Sequence, residues 1–319
     1  MDKGFWGHKY RYGHAMVVVG GVGRGGAGRL AARGALRVGA GLVTVGCPGA
    51  ALPENAARLD AVMVSVVDSP SDLAGFLSDP RVNALCLGPG LGVDRAEELL
   101  PVALEWGGAT VLDADALTAF AGDPARGLSR LLHKRCLLTP HEGEFRRLFP
   151  DLLPVERGAA SGERTPEPLR GEAARTAARR AGCTVLLKGP VSWIAPVDGE
   201  PERIEAPADG SAGWLATAGS GDVLAGFCAG LMARGMSPSS AAGTAVRWHF
   251  ECGRLAGPGL IAEDLPEVLP RVLRRLLHRP SLAASPVGGR DGGDPRAKPP
   301  GAHPGAHEGP GPAGQGAAA

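Results

Sequence analysis

Leu215-Ala216-Thr217-Ala218-Gly219-Ser220-Gly221-Asp222-Val223-Leu224-Ala225-Gly226 is a stretch in which a loop of small residues opens directly into an apolar helix. Backbone N–H groups at such a helix start have no intrahelical partner, and the helix dipole favours negative charge there. Gly219 and Gly221 let that backbone approach a phosphate closely. Asp222 is then placed to act as a general base on a hydroxyl bound beside the phosphates. Taken alone, Asp222 is interpreted equally well as an ordinary helix N-cap.

Short apolar runs alternate along the chain with longer amphipathic stretches. The runs are rich in Val, Leu and Ala, as is typical of strands covered on both faces. Predicted strands cover residues 15–19, 42–45, 84–87, 110–112, 136–138 and 184–187. Predicted helices cover residues 27–38, 94–105, 142–148, 171–181, 222–234 and 239–255. This order predicts right-handed crossovers and a three-layer αβα fold with a mainly parallel central sheet, while residues 192–205 predict a hairpin-like excursion.

The composition changes past residue 279, where Gly, Pro and Ala dominate. Such a segment buries too little apolar area to offset the entropy cost of ordering it. We therefore predict one domain over residues 1–279 and a disordered tail over residues 280–319. On the same grounds, residues 158–168 are predicted to form a mobile surface loop.

Charge and cysteine usage narrow the classes of function. The 34 basic and 33 acidic residues give a net charge of +1. No overall electrostatic field therefore attracts nucleic acid, and nucleic acid is not predicted as a partner. The chain starts with polar residues, and no apolar stretch reaches the roughly 20 residues of a membrane span. The six cysteines form no Cys-x-x-Cys pair, which favours free thiols in a reducing cytosol over a metal site. A soluble, cytoplasmic protein is predicted.

Four further motifs follow predicted strands and are expected at one edge of the sheet, where ligands bind in open α/β folds. They are Gly88-Pro89-Gly90-Leu91-Gly92, Asp113-Ala114-Asp115, Thr139-Pro140-His141-Glu142-Gly143-Glu144 and Lys188-Gly189. Each also has an ordinary structural interpretation: a glycine turn, helix capping by Asp115, a structural hydrogen bond from His141, or a solvated Lys188. Their convergence with the Gly-Ser-Gly-Asp turn favours a ligand site over independent coincidences.

Another glycine-rich turn, residues 20–28, joins the first predicted strand to the first predicted helix. Gly21, Gly23 and Gly26 have the Gly-x-Gly-x-x-Gly spacing of a dinucleotide fingerprint. The acidic residue expected about 20 positions later is missing. We interpret the turn as a close-approach loop for a substrate rather than as a conventional NAD site.

In this order, the motifs resemble those of the ADP/ATP-dependent NAD(P)H-hydrate dehydratases, a ribokinase-like family of coenzyme-repair proteins. The resemblance covers about residues 8–275. The stretches 39–43 (Gly-Ala-Gly-Leu-Val) and 139–144 favour this family, because the Gly-Ser-Gly-Asp turn resembles one found across the ribokinase-like kinases. The resemblance implies a nucleotide co-substrate, ADP or ATP, with Mg²⁺ bridging its phosphates and no metal site made of protein side chains. It also implies a substrate, the S-epimer of NADH or NADPH hydrated on the nicotinamide ring, whose hydroxyl is phosphorylated and then expelled as phosphate.

The same resemblance implies roles for individual residues. Asp222 would be the catalytic residue that activates the ring hydroxyl. Together with Asp222, the residues that would line the hydrated-coenzyme site are Ala27, Gly92 and His141. The residues that would contact the nucleotide are Lys188, Gly189, Pro190, Val191, Ser192, Gly219, Ser220 and Gly221.

Partners follow from the resemblance as well. Family members commonly form homo-oligomers and work with an NAD(P)H-hydrate epimerase that is often fused in front. No such domain precedes His8, so we expect the epimerase to be a separate protein or the chain to be a fragment. The sequence leaves two other functions open. One is a ribokinase-like kinase of a small thiazole or pyrimidine alcohol, and the other is a nucleotide-binding module without turnover.

Overall fold

The computed structural model describes residues 8–122, 130–153 and 166–277. The predicted tail at 280–319 lies outside the described residues, as does the part of the predicted loop at 158–165. The end of that predicted loop is helical instead, because a helix begins at Glu167 directly after Pro166. Proline at the start of a helix costs no hydrogen bond, so it marks a helix start as readily as a loop.

A nine-stranded sheet forms the middle layer of the described chain. Its strands are β1 (His14–Val18), β2 (Leu42–Cys47), β3 (Met63–Val66), β4 (Val82–Leu87), β5 (Ala109–Leu112), β6 (Cys136–Leu138), β7 (Thr184–Leu187), β8 (Val191–Ala195) and β9 (Glu202–Glu205). The spatial order is β3-β2-β1-β4-β5-β6-β7-β8-β9, and the first seven strands are parallel. β8 and β9 add to the β7 edge in antiparallel fashion, which confirms the predicted hairpin-like excursion.

Helices cover both faces of the sheet. They are α1 (Gly26–Arg37), α2 (Leu52–Ala56), α3 (Pro70–Leu77), α4 (Val93–Glu105), α5 (Ala114–Gly122), α6 (Glu142–Leu148), α7 (Glu167–Ala181), α8 (Ser220–Ala233), α9 (Pro238–Ala256) and α10 (Asp264–Leu277). One core packs α1, α8, α9 and α10 on one face, and a second core packs α3 to α7 on the other. Alternate residues of β1 enter opposite cores, since a strand's side chains point to both faces in turn. The predicted three-layer, mainly parallel fold is confirmed.

Two further predictions concern the cysteines and membrane-spanning helices. All six cysteines are buried and free, as predicted for thiols that act as small apolar side chains. Across the described ranges, no helix combines the length and the apolar character that crossing a membrane requires.

The central helix α8 packs against α1 with backbone nearly touching backbone. A Cβ added at Gly226 would lie 2.0 Å from the carbonyl oxygen of Ala31, and one at Gly230 would lie 2.4 Å from that of Ala35. Both contacts are with backbone, which cannot rotate away as a side chain can. The two glycines therefore set the distance at which α8, with the phosphate-binding turn at its start, lies on the rest of the domain.

Gly226→Ala is expected to destabilise the fold by about 1–3 kcal/mol or more, because overpacking forces helices apart. The matched control is Gly75→Ala on α3, where an added Cβ meets nothing within 4 Å. That exposed helical glycine should gain roughly 0.5–1 kcal/mol on replacement by alanine. Urea unfolding of both variants checks the pair, and equal free energies of unfolding for Gly226→Ala and the unmodified protein would contradict the close packing of α1 and α8.

Candidate functional site

The carboxyl ends of four neighbouring strands meet at one edge of the sheet. β4, β5, β6 and β7 are adjacent and parallel, so the segments that follow them lie side by side. These segments carry Gly88–Gly92, Asp113–Asp115, Thr139–His141 and Lys188–Gly189. Lys188 and His141 form an isolated parallel bridge, which extends the pairing of β6 and β7 into the site. The predicted convergence of these motifs on one edge is confirmed.

The start of α8 lies against this edge, and it begins two residues earlier than predicted. Gly219 is the N-cap, with φ of +88°, a left-handed backbone that favours glycine, and the helix begins at Ser220. A Cβ at Gly219 would lie 2.7 Å from Cδ1 of Leu30. Asp222 is therefore the third helical residue, and no side chain caps this helix. The interpretation of Asp222 as an N-cap is wrong, and its carboxylate is left for another role.

Lys188 makes a buried ion pair with Asp113. Its Nζ donates to Oδ1 of Asp113 at 2.8 Å, and the hydroxyl of Thr139 donates to the same oxygen at 2.9 Å. The side chains of Lys188 and Asp113 are 16% and 2% exposed, so the solvated-lysine interpretation is wrong. Burial lowers the pKa of Lys188, but the carboxylates of Asp113 and Glu144 outweigh it and leave that pKa raised. The ammonium group is therefore charged. It lies beside the turn, since a Cβ on Gly221 would lie 3.4 Å from Nζ.

Asp222 is a carboxyl group tuned toward neutral pH. Burial, together with the nearby Asp113 carboxylate, raises its pKa to about 7, while Lys188 opposes both effects. A group that titrates near 7 is present as carboxylate at working pH and still binds a proton, as a general base must. Perturbed pKa values of this kind cluster at functional sites.

The glycine loops predicted to hold the hydrated coenzyme contact each other and the end of β5. Oδ2 of Asp115 accepts from the backbone N–H of Gly92 at 2.8 Å, which ties the end of β5 to the Gly88–Gly92 loop instead of capping α5. A Cβ on Gly90 would lie 3.1 Å from that of Ala27, so the loop also reaches the start of α1. Ala114 has φ of +46°, a strained backbone for alanine that separates Asp113 from Asp115.

His141 caps α6 through its ring. Nδ1 accepts from the backbone N–H groups of Gly143 at 3.0 Å and Glu144 at 3.3 Å, while Oε2 of Glu144 accepts from the His141 backbone N–H at 2.8 Å. This capping box fixes Nδ1 as a hydrogen-bond acceptor, which leaves Nε2 as the ring nitrogen that can donate. The predicted structural role of His141 is therefore present, and its half-exposed ring also faces the nearby cavity.

A cavity of about 390 Å³ lies between the α8 turn, the end of β7 and α9. Seven residues predicted to contact substrate or nucleotide line it: His141, Lys188, Gly189, Pro190, Ser192, Ser220 and Gly221. Its opposite wall is apolar and includes Leu215, Leu224, Val246 and Phe250. Two predicted nucleotide contacts are not among the lining residues: Val191 is buried in β8, and Gly219 caps α8. One polar end and one apolar wall suit a ligand with phosphates and an aromatic base.

Arg170 is a site residue that the sequence did not reveal. The side chain is buried in α7, and its guanidinium donates to the carbonyl oxygens of Val191 at 2.8 Å and Lys188 at 3.1 Å. It also pairs with Glu167 at 2.9 Å. These bonds hold the turn from Lys188 to Ser192 in place. A buried arginine within an alanine-rich amphipathic helix has no local sequence signal, except for the acidic residue three positions earlier.

Comparison with known proteins places this chain in a family. A family model described as NAD(P)H-hydrate dehydratase matches residues 15–271. The bifunctional NAD(P)H-hydrate repair enzyme Nnr of Gloeobacter violaceus is 36% identical over 254 residues, which are 77% of this chain and 46% of that protein. The chain spans about half the length of the curated relatives it matches.

Solved structures agree on the fold. The ADP/ATP-dependent NAD(P)H-hydrate dehydratase of Bacillus subtilis, co-crystallised with ATP/Mg²⁺, superposes with a TM-score of 0.68 at 26% identity, covering 86% of this chain and 93% of that one. A ribokinase-like superfamily protein of Enterococcus faecalis superposes with a TM-score of 0.69 at 24% identity, covering 86% and 91%. The fold is ribokinase-like, and the match of the family model over most of the chain shows that this protein belongs to the NAD(P)H-hydrate dehydratase family.

Proposed function

We propose that the chain repairs hydrated NADH and NADPH by nucleotide-dependent dehydration of the S-epimer. The observation that carries this proposal is the buried carboxyl group of Asp222, whose pKa is raised and which feels the charges of both Lys188, beside the α8 turn, and Asp115, bonded to the Gly88–Gly92 loop. A base between a coenzyme loop and a phosphate-binding turn is what transfer of a phosphoryl group to a bound hydroxyl requires. Membership of the dehydratase family supports the choice of substrate.

In the first step, Asp222 takes the proton of the ring hydroxyl. The hydroxyl oxygen forms a bond to the terminal phosphorus of the nucleotide while the phosphoanhydride bond breaks, and the nucleotide, one phosphate shorter, leaves with the electron pair of that bond. The backbone N–H groups at the start of α8 and the charged Lys188 stabilise the negative charge on the transferred group. In the second step the ring carbon–oxygen bond breaks, phosphate leaves with the electron pair, and the ring nitrogen's lone pair assists. Loss of a proton from the neighbouring ring carbon restores the double bond.

Magnesium fits this site as a companion of the nucleotide. Within the described ranges no three His, Cys, Asp or Glu side chains group as metal ligands. Mg²⁺ commonly binds through substrate phosphates and one or two carboxylates while keeping several waters. Asp222, in the first turn of α8, is the carboxylate that would meet a hydrated ion on the phosphates, where the ion would neutralise phosphate charge.

The test is to incubate the protein with hydrated NADH, with and without ADP or ATP. We expect recovery of the absorbance of reduced nicotinamide only with nucleotide, and one phosphate released for each coenzyme restored. Any such turnover excludes a nucleotide-binding module without activity. No recovery, together with phosphorylation of a thiazole or pyrimidine alcohol, would overturn the proposal in favour of a small-molecule kinase.

We also propose the remaining attributes of the protein. The catalytic domain covers residues 1–279. The protein is a cytoplasmic homo-oligomer that works with an NAD(P)H-hydrate epimerase. Six buried free cysteines support a reducing compartment, and the bifunctional relatives support the epimerase as a partner.

A further inference from the structure

His249 is a buried histidine beneath the α8 turn that the proposed mechanism does not use. It lies on α9, and its Nε2 is 3.0 Å from the carbonyl oxygen of Ser220 and 3.1 Å from the Ser220 hydroxyl oxygen. The rings of Phe227 and Phe250 lie against the imidazole, with centroids 6.4 Å and 6.5 Å away. The imidazole is thus fixed in one orientation toward a single residue.

The proton on this ring can be located from its partners. A carbonyl oxygen only accepts hydrogen bonds, so Nε2 must carry a proton to bond to Ser220. Burial lowers the pKa of His249 to about 4, and the hydrogen bond to the Ser220 backbone only partly offsets this effect. The ring is therefore neutral at physiological pH, with its single N–H on Nε2. That N–H is shared between the carbonyl and the hydroxyl oxygen of Ser220, as in other three-centre bonds.

This arrangement frees the proton of the Ser220 hydroxyl. Because the hydroxyl oxygen accepts from His249, its own O–H is available to donate elsewhere. Among the described residues, the hydroxyl has no hydrogen-bond partner besides His249. Ser220 lines the cavity together with Gly221 and Lys188, at the polar end. A donor beside a helix N-terminus and an ammonium group is suited to an anionic oxygen.

We propose that His249 is a positioning residue that orients the Ser220 hydroxyl to donate a hydrogen bond to a nucleotide phosphate. This inference rests on the proposed function, because it assumes that nucleotide phosphates occupy the polar end of the cavity. It adds a side-chain donor to the backbone N–H groups of the turn and gives the α9 histidine a role in nucleotide affinity. Binding measurements test it separately from dehydratase turnover.

Calorimetric titration of the full chain with ADP and with adenosine tests the coupling of the two residues. Ser220→Ala is expected to weaken ADP binding about tenfold or more, as for loss of a bond to a charged group, and to leave adenosine binding unchanged. His249→Met should weaken ADP binding to a similar extent. The double variant should bind ADP at most about twofold more weakly than whichever single variant binds it less tightly. His249→Gln, whose amide N–H reaches the position of Nε2, should restore most of the affinity.

Equal losses of affinity for ADP and for adenosine would overturn the proposal, as would additive losses of ADP affinity in the double variant. Both results are expected if the histidine is merely structural. A measurement on the unmodified protein covers the case in which His249→Met does not fold. Imidazole ¹⁵N shifts, assigned by the signal that His249→Gln removes, should show a neutral ring protonated on Nε2 with and without ADP. A ring protonated on Nδ1, or a charged ring, would mean that the Ser220 hydroxyl donates to His249 and is not free for phosphate.

Discussion

Asp222→Asn is expected to lower turnover of the hydrated coenzyme by about 10²–10⁴-fold, the usual contribution of a positioned general base. Asparagine has nearly the same shape and cannot accept the hydroxyl proton, so ADP affinity should stay within about threefold of the unmodified protein. The matched control is Asp198→Asn. The carboxylate of Asp198 is 81% exposed and lies in the turn between β8 and β9. Steady-state rates and calorimetric ADP affinities of the two variants check this prediction.

The pH dependence of the unmodified protein gives the same prediction a second readout. Because burial raises the pKa of Asp222 to about 7 and the ionised form is the base, kcat/KM should fall as pH drops below about 7. A profile that breaks near 4 would contradict the placement of this carboxyl group. So would an Asp222→Asn variant that keeps both the rate and the break near 7.

The same substitution should stabilise the fold at alkaline pH. A carboxyl group with a pKa raised in the folded protein binds its proton more tightly there than in the unfolded chain. Its contribution is fully favourable below about 4, and it is lost as pH rises to about 7. Asp222→Asn should therefore melt at a higher temperature than the unmodified protein at pH 8 and at a similar temperature near pH 4. This pattern marks a residue kept for activity at some cost in stability.

Lys188→Met is expected to cost about 3–5 kcal/mol of stability, because it leaves the carboxylate of Asp113 buried without its counter-ion. Asp113 is 2% exposed, and its carboxylate would keep the hydrogen bond from the Thr139 hydroxyl. Adding Asp113→Asn to Lys188→Met should recover part of that loss, since the neutral amide removes the buried charge. Urea unfolding of the two single variants and the double variant measures the coupling.

The control for this pair is Lys134→Met. Lys134 pairs with Asp198 at 3.1 Å, but both side chains are more than three quarters exposed, so the melting temperature should not change measurably. If Lys188→Met is as harmless as Lys134→Met, the pair between Lys188 and Asp113 is not the buried contact described here. The active site would then lack the charged lysine that the mechanism assigns to the transferred phosphoryl group.

The fold class and the edge that carries the site follow from the sequence, because the buried strands are uninterrupted apolar runs that end in glycine or polar residues. Elements without that signal were missed. Strand β3 lies at the sheet edge with half-exposed side chains, so its pattern is mixed. Helix α10 contains Pro270, and α5 begins directly after β5 at a residue with positive φ. In each of these cases tertiary packing overrides the local preference of the residues.

The interior of the site was predictable only in part. The glycine turn, His141 and Lys188 carry recognisable motifs at strand and helix ends. The ion pair of Lys188 with Asp113 spans 75 positions, and the contact of His249 with Ser220 spans 29. Such contacts depend on how β5, β7, α8 and α9 pack, and no local pattern records them. For that reason the residues alone left Lys188 open between a ligand contact and a solvated side chain, and left His249 without a role.

A crystal structure of the Asp222→Asn variant with ADP, Mg²⁺ and hydrated NADH shows whether residue 222 lies between the transferred phosphate and the ring hydroxyl. We expect the terminal phosphate within hydrogen-bond distance of the backbone N–H groups at the start of α8, and the ring hydroxyl between that phosphate and residue 222. A nucleotide whose phosphates point away from the Gly219–Asp222 turn, or a coenzyme bound with its ring remote from residue 222, would contradict the account.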